Sequence, residues 1–272
     1  GAAQIDGVDF IVASEASVRV GTVTSGQADI ARTIPAPDEG QFDADGLELV
    51  AAATNGVNNG LNLRFGHPLL QDIKVRQAII AGVDREAIVS TLFTDSYPLA
   101  TGALAKTALG YLDTSEYYAY DPEKAAELLD EAGWEVGSDG IREKDGERLQ
   151  LTFNEALPQP RSKDVVTLVQ EQLAQLGIEV ELFPGDQAAQ TEASLSEVTI
   201  PVYHSMVGRA DFDVIKSQFH SENRNTLLNR SNEDDSIGDP ELDELLAAIA
   251  SAPTTEERQA ASEAAQLHIA EN

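Results

Sequence analysis

Residues 72–92 read DIKVRQAIIAGVDREAIVSTL, and the rest of the chain is organised around them. Asp72 is a good N-cap, and Val75, Ala78 and Ile79 recur at the spacing that puts them on one helical face. Gly82 is suited to end that helix in a left-handed conformation. Asp84 can cap a second helix that carries Ile88, Val89 and Leu92 inward. Two short helices meeting at a corner need something to fix the angle. Arg76 on the first and Asp84 opening the second predict a buried Arg–Asp pair across it, a scaffold feature rather than a ligand site.

Downstream the periodicity stays clear. Asp121 caps a helix with Pro122 at its first position, and Ala125, Leu128, Leu129 and Ala132 form one apolar stripe that Gly133 ends. A hairpin follows over residues 141–153, turning at Asp145 and Gly146, with Leu149, Leu151 and Phe153 alternating. Residues 149–153, a helix over 162–176 and a strand over 178–182 predict a β–α–β unit, with Val165, Val169, Leu173 and Leu176 inward. Residues 198–206 supply a further strand of that sheet. Asp239 and Pro240 start a helix carrying Leu242, Leu245, Leu246 and Ile249, and Thr254 with Glu257 makes a capping box for the last one.

Upstream, residues 9–13 (DFIVA) and 28–31 (ADIA) predict strands on either side of a helix that Gly26 stops, a second β–α–β unit. Residues 47–63 are extended and interrupted by Asn55, Gly56, Asn58, Asn59 and Gly60. Gly and Asn tolerate unusual backbone angles and let a ligand approach closely. Asn58 and Asn59 are therefore candidates to offer amides to a ligand in a cleft; an ordinary surface loop is the alternative. Tyr97, Tyr111, Tyr117 and Tyr118 fall in the long stretch 94–118, where tyrosines either stack on a ligand or pack the loop onto its own domain.

The 272 residues hold 47 acidic against 18 basic side chains, a formal net charge of −29. That field repels phosphate backbones and anionic lipid, which argues against nucleic-acid binding and electrostatic membrane docking. Solubility, in a salty or acidic setting, is its plainest meaning. With no cysteine there is no disulfide, thiolate metal site or cysteine nucleophile. No apolar run approaches the roughly 18 residues of a membrane span, and no signal-peptide pattern opens the sequence. His67, His204, His220 and His268 are scattered singly, and no phosphate loop or nucleophile elbow is present. Carboxylate pairs are too common here to diagnose anything. The expectation is a binding protein, not an enzyme, with no metal and no cofactor.

The order of these motifs resembles family 5 extracytoplasmic solute-binding proteins, the peptide- and nickel-type receptors of ABC transporters. The resemblance rests on residues 72–89, on YDPEKA at 120–125 with Leu128, Leu129 and AGW at 132–134, and on DGIR at 139–142. It extends to SGQADI at 25–30, LGIEV at 176–180 and PELDELL at 240–246. It implies a periplasmic-binding-protein-like class II α/β fold, a mixed sheet flanked by helices, with most of lobe II and a fragment of lobe I. Residues 1–54 would be the lobe I fragment and first crossing, and 55–272 lobe II, with the C-terminal return to lobe I missing. Asp72, Arg76, Asp84, Arg85 and Asp121 are its structural signature residues.

Implied too is a function: binding a peptide or similar small solute in an inter-lobe cleft and delivering it to an ABC permease, outside the cytoplasm, on an N-terminal lipid anchor absent from these residues. Alternatives are a non-peptide solute (an oligosaccharide, a nickel chelate, an opine-like compound) or a sensor or chaperone module on the same fold. The segment expected to open into the cleft is YHSMVGRADFD at 203–213, and Tyr203, His204, Arg209 and Asp211 join Asn58 and Asn59 as ligand candidates. Here the sequence departs from the peptide-binding branch. Gly208 falls where the amine-binding Asp would be, and the position of the carboxylate-binding Arg falls on Ala156, with Arg161 a possible substitute. Arg209 then implies an anionic or neutral ligand group, or a salt bridge to Asp211.

Overall fold

Several helices in this protein begin where a side chain satisfies a free N–H group of the first turn, as at Asp72, Asp84, Asp121, Asp239 and Thr254. The computed structural model describes residues 4–42, 46–155, 161–196, 200–222 and 238–272. The chain divides into two units, Gly1–Ala52 with Phe93–Ser96, and Ala53–Leu92 with Tyr97–Asn272.

In the first unit, α1 (Ala16–Thr24) buries Val20 and Val23 against Phe42 of a 3-10 turn, Ala36–Phe42. Arg19 ties the unit together by donating to the main-chain oxygens of Ala13, Ser14 and Thr33. The helix matches the sequence reading; the flanking strands do not form. Residues 9–13 and 28–31 are irregular, with Phe10 91% and Val12 96% exposed and Ile30 also out in solvent. An extended apolar segment becomes a strand only when another backbone takes up its N–H and C=O groups. No neighbouring strand exists in this unit among the described residues.

The second unit carries a four-stranded mixed sheet in the order β1-β7-β5-β6. Its strands are β1 (Gly56–Leu63), β5 (Gln150–Asn154), β6 (Glu179–Leu182) and β7 (Val202–Gly208). β1 runs antiparallel to β7, while β5 is parallel to both β7 and β6. Leu149, Leu151 and Phe153 have no exposed surface, so the alternation read from the sequence points them into the core. A separate small sheet joins β2 (Glu135–Val136), β3 (Arg142–Lys144) and β4 (Glu147–Arg148). The predicted hairpin thus splits: β4 stays with β3 across the Asp145–Gly146 turn, both residues at positive φ, and the chain then passes to the large sheet as β5. The strand expected over 198–206 starts at Val202 and ends at Gly208, and residues 197–199 lie outside the described part.

At the organising corner stand α2 (Ile73–Ala81) and α3 (Arg85–Leu92). Asp72 Oδ1 accepts from Lys74 N and Asp84 Oδ1 from Ala87 N, so both caps form as read. Val75, Ala78, Ile79, Ile88 and Leu92 are buried. Two expectations fail. Gly82 has φ −81°, not a left-handed value, and a Cβ there would press on the movable Leu176 Cδ1 methyl and sit 3.0 Å from Ala78 O. The Arg76–Asp84 pair does not form. Arg76 instead donates to the carbonyls of Leu70 (2.7 Å) and Gln71 (3.0 Å) and to the main-chain oxygen of Asn272. Carbonyls left over by the preceding turn are near and unpaired, and Asp84 is already occupied as a cap.

Around the sheet lie α4 (Pro122–Glu131), α5 (Ser162–Ala174), α6 (Gln187–Ser196), α7 (Val214–Phe219), α8 (Pro240–Ser251) and α9 (Thr255–Glu271). α4 packs on α2, α5 on β6, and α7 on β1 and β7. α5 buries Val166 rather than Val165, with Val169, Leu173 and Leu176 inward as read. The α8–α9 pair closes a core over Val57, Leu104, Val214, Ile215, Leu246 and Ile249.

Candidate ligand-binding face

The candidate residues concentrate where β1 and β7 lie side by side. β1 starts at Gly56, at φ +118°, where a Cβ would collide with the carbonyl oxygen of Val207 and lie 2.8 Å from Arg209 N. Only glycine lets the two backbones close so tightly. Arg209 N donates to Asn55 O at 3.1 Å, so the residue after β7 is pinned to the residue before β1. The loop over residues 102–105 runs along the free edge of β1: Asn58 N donates to Ala103 O and Ala105 N to Gly56 O.

Asn58 holds this loop. Its Nδ2 donates to Gly102 O at 2.7 Å and to Leu104 O at 2.9 Å, so both amide protons are used within the protein. The register of β1 on β7 shifts between Val57 and Gly60, and the exposed Asn59 sits within that bulge. Tyr203 and His204 lie in β7 opposite Asn62 and Leu61; their side chains lie outside the described part.

Arg209 and Asp211 face each other as a fork: Nε to Oδ2 at 3.1 Å and Nη2 to Oδ1 at 3.3 Å, both side chains about half exposed. Of the two roles open to Arg209 from sequence, this structure contains the salt bridge. An exposed pair of this kind is stabilised by no more than about 1 kcal/mol, so an incoming anion could compete for it. Gly208 has room: a Cβ there would make only ordinary contacts, 3.6 Å from Thr54 Cγ2 and 3.8 Å from Asn55 O. Ala156 lies outside the described residues, and Arg161 is paired with Asp164 at 2.9 Å at the start of α5.

The signature residues stand apart from this face and do structural work. Arg85 donates to Ala100 O and Tyr118 O and lies over the Tyr118 ring, 5.1 Å from its centroid, bracing both ends of the tyrosine-rich stretch. Tyr111 bonds Thr101, and Gln266 and Ser262 of α9 hold Gly110 O. Tyr111 and Tyr118 therefore pack the loop onto its own unit. Asp121 caps α4 through Lys124 N. Arg142 of the DGIR turn is only 4% exposed and joins Leu176 O, Trp134 O and Asp130.

Sequence reasoning missed Arg64, which follows β1 and has no exposed surface, its main-chain N–H bonded to Pro201 O. Nearby, His67 is held below its ordinary pKa by burial and then by the charge of Arg64, and its Nδ1 accepts from Leu69 N. A lone Arg after an interrupted apolar run gives no hint of burial. The described residues contain no group of three His, Asp or Glu side chains placed to share a metal ion.

This arrangement of a mixed sheet between helices is that of periplasmic-binding-protein-like class II folds. NikA from Brucella suis, solved in complex with Fe(III)-EDTA, superposes with a TM-score of 0.77 at 22% identity, over 94% of this chain and 52% of that one. The oligopeptide-binding protein AppA from Bacillus subtilis, solved with a nonapeptide, gives 0.76 at 22% identity, over 96% and 51%. By sequence, residues 1–221 match the model of the bacterial extracellular solute-binding proteins, family 5 Middle, and the chain belongs to that family. The oligopeptide-binding protein AppA of Bacillus subtilis (strain 168) is 31% identical over 182 residues, 65% of this chain and 33% of AppA. A dipeptide-binding protein of Escherichia coli (strain K12) is 32% identical over 135 residues, 49% of this chain and 25% of that protein. The chain thus spans about half the length of the solved structures and a third or less of these curated relatives.

Proposed function

We propose that this chain is part of an extracytoplasmic receptor that takes up a peptide or similar small solute and delivers it to an ABC permease. Residues 1–54 would belong to lobe I and 55–272 to lobe II, with the solute enclosed by hinge closure. The observation that carries this reading is the family match over residues 1–221. ATP hydrolysis falls to the partner transporter, and the receptor itself does no chemistry. Its place is the cell exterior or periplasm, on a lipid anchor.

Within the site, Arg209 is the group to receive an anionic end of the solute, exchanging Asp211 for it. Asn59 and the β7 residues Tyr203 and His204 would contact the solute's main chain. Asn58 acts through the loop at 102–105 that it holds. A non-peptide solute is favoured by two observations: Gly208 offers no carboxylate for an amine, and Arg209 stands beside it.

Calorimetric titration tests both. The receptor as its host makes it, stripped of bound solute, should release heat with short peptides, and Arg209→Ala should weaken that binding about tenfold or more. Binding of a nickel–histidine chelate or an oligosaccharide, with peptides silent, would move the reading to the non-peptide class. Wild-type affinity in Arg209→Ala would remove Arg209 from the site.

A further inference from the structure

Asparagine is followed by glycine twice in this chain, at 55–56 and at 59–60, and both steps lie in or beside β1. A glycine has no Cβ to keep its backbone nitrogen away from the preceding side chain. Attack of that nitrogen on the asparagine Cγ forms an N–Cγ bond and breaks the Cγ–Nδ2 bond. Ammonia leaves with the proton of the backbone amide, and a cyclic imide remains. Water then opens the ring at either carbonyl, giving aspartate or isoaspartate. The sequence consumes water alone and involves no change of oxidation state.

The fold treats the two steps differently. Ring closure requires the peptide between the two residues to rotate. At 55–56 that peptide is clamped: Asn55 O accepts from Arg209 N at 3.1 Å and Gly56 O from Ala105 N at 2.8 Å. The space beside Gly56 Cα is filled by Val207 O and Arg209 N. At 59–60 the surroundings are open. Asn59 is exposed, nothing lies within 4 Å of the place a Gly60 Cβ would take, and the register on β7 shifts between Val57 and Gly60. Gly60 O accepts from Asn62 Nδ2 at 3.3 Å, a bond to a side chain that can move with it. We propose that Asn59 is a site of spontaneous deamidation on the candidate face, while the β1–β7 clamp protects Asn55. The product takes the formal net charge from −29 to −30. By the isoaspartate route the main chain of β1 also gains a methylene inside its bulge. The inference stands on the backbone surroundings of the two steps and is independent of the solute.

Incubating the folded protein at mildly alkaline pH, then digesting it in acid and fragmenting the peptides by mass spectrometry, tests this. Product should build up at Asn59 about tenfold or more faster than at Asn55, a barrier difference of about 1.4 kcal/mol. In concentrated urea the clamp is gone, and the two rates should come within about threefold of each other. Gly60→Ala, whose new methyl meets no neighbour, should slow the reaction at Asn59 by about tenfold or more. Equal rates at the two sites in the folded protein would overturn the proposal. So would a folded Asn59 that stays intact while the urea-unfolded chain reacts. The same preference for Asn59 in urea would assign the difference to sequence neighbours and not to the fold, and an unslowed Gly60→Ala would mean that the nitrogen of residue 60 is not the attacking group; either result also overturns it.

Discussion

Gly56 and Gly208 sit opposite each other in the β1–β7 pairing, yet the structure asks different things of them. At Gly56 a side chain meets the strain of φ +118° and the backbone of Val207 and Arg209 together. At Gly208 a methyl group finds ordinary contacts only. Gly56→Ala should therefore cost about 3 kcal/mol or more in denaturant unfolding, while Gly208→Ala stays within about 0.5 kcal/mol of the parent. Equal effects would mean the close approach at the candidate face is misdrawn. From sequence, both glycines read alike, because the demand at Gly56 comes from a strand about 150 residues away. Asn58 carries the same lesson. Its position beside the candidate face was legible, but the loop that consumes its two donors was not.

Among the elements, those with a capped start were legible. Asp72, Asp84, Asp121, Asp239 and Thr254 each carry out the cap their spacing suggested. Caps are local, and the physics needs only neighbouring residues. Strands are not local, which is why residues 9–13 and 28–31 misread and why the hairpin split between two sheets. Short α7 and the polar α6 gave no stripe to read.

The 3-10 turn Pro68–Leu70 offers a test at this scale. Its N-cap is His67, accepting from Leu69 N and held below its ordinary pKa by burial and by Arg64. A depressed folded-state pKa means the unfolded chain binds the proton more readily. The stability His67 contributes is thus complete above its unfolded value of about 6.5 and lost as pH falls through the folded one. His67→Asn keeps an acceptor and removes the titration. The stability difference between parent and His67→Asn, measured by urea unfolding from pH 8 to pH 5, should turn against the parent below about pH 6.5. A pH-independent difference would show that folding leaves the His67 pKa unshifted, against the depression that burial and Arg64 impose.

For the whole molecule, the family sets the class of function and the departures at Gly208 and Arg209 leave the solute to be found. The signature corner of α2 and α3 made the fold readable because its residues serve the scaffold: caps, carbonyl ties and the brace on Tyr118. Among the candidate ligand residues the ties are looser, with Asn59 exposed in its bulge and Arg209 in an exposed salt bridge, although Asn58 is bound to its loop, and so their identity says less about their use. The central claim is that the protein is a receptor that encloses a peptide or similar solute. Native mass spectrometry of the protein as its host produces it tests this most directly. The account predicts a population heavier than the polypeptide that loses the excess on denaturation and releases peptides. A mass equal to the polypeptide alone, under conditions that keep a known peptide receptor loaded, would contradict it.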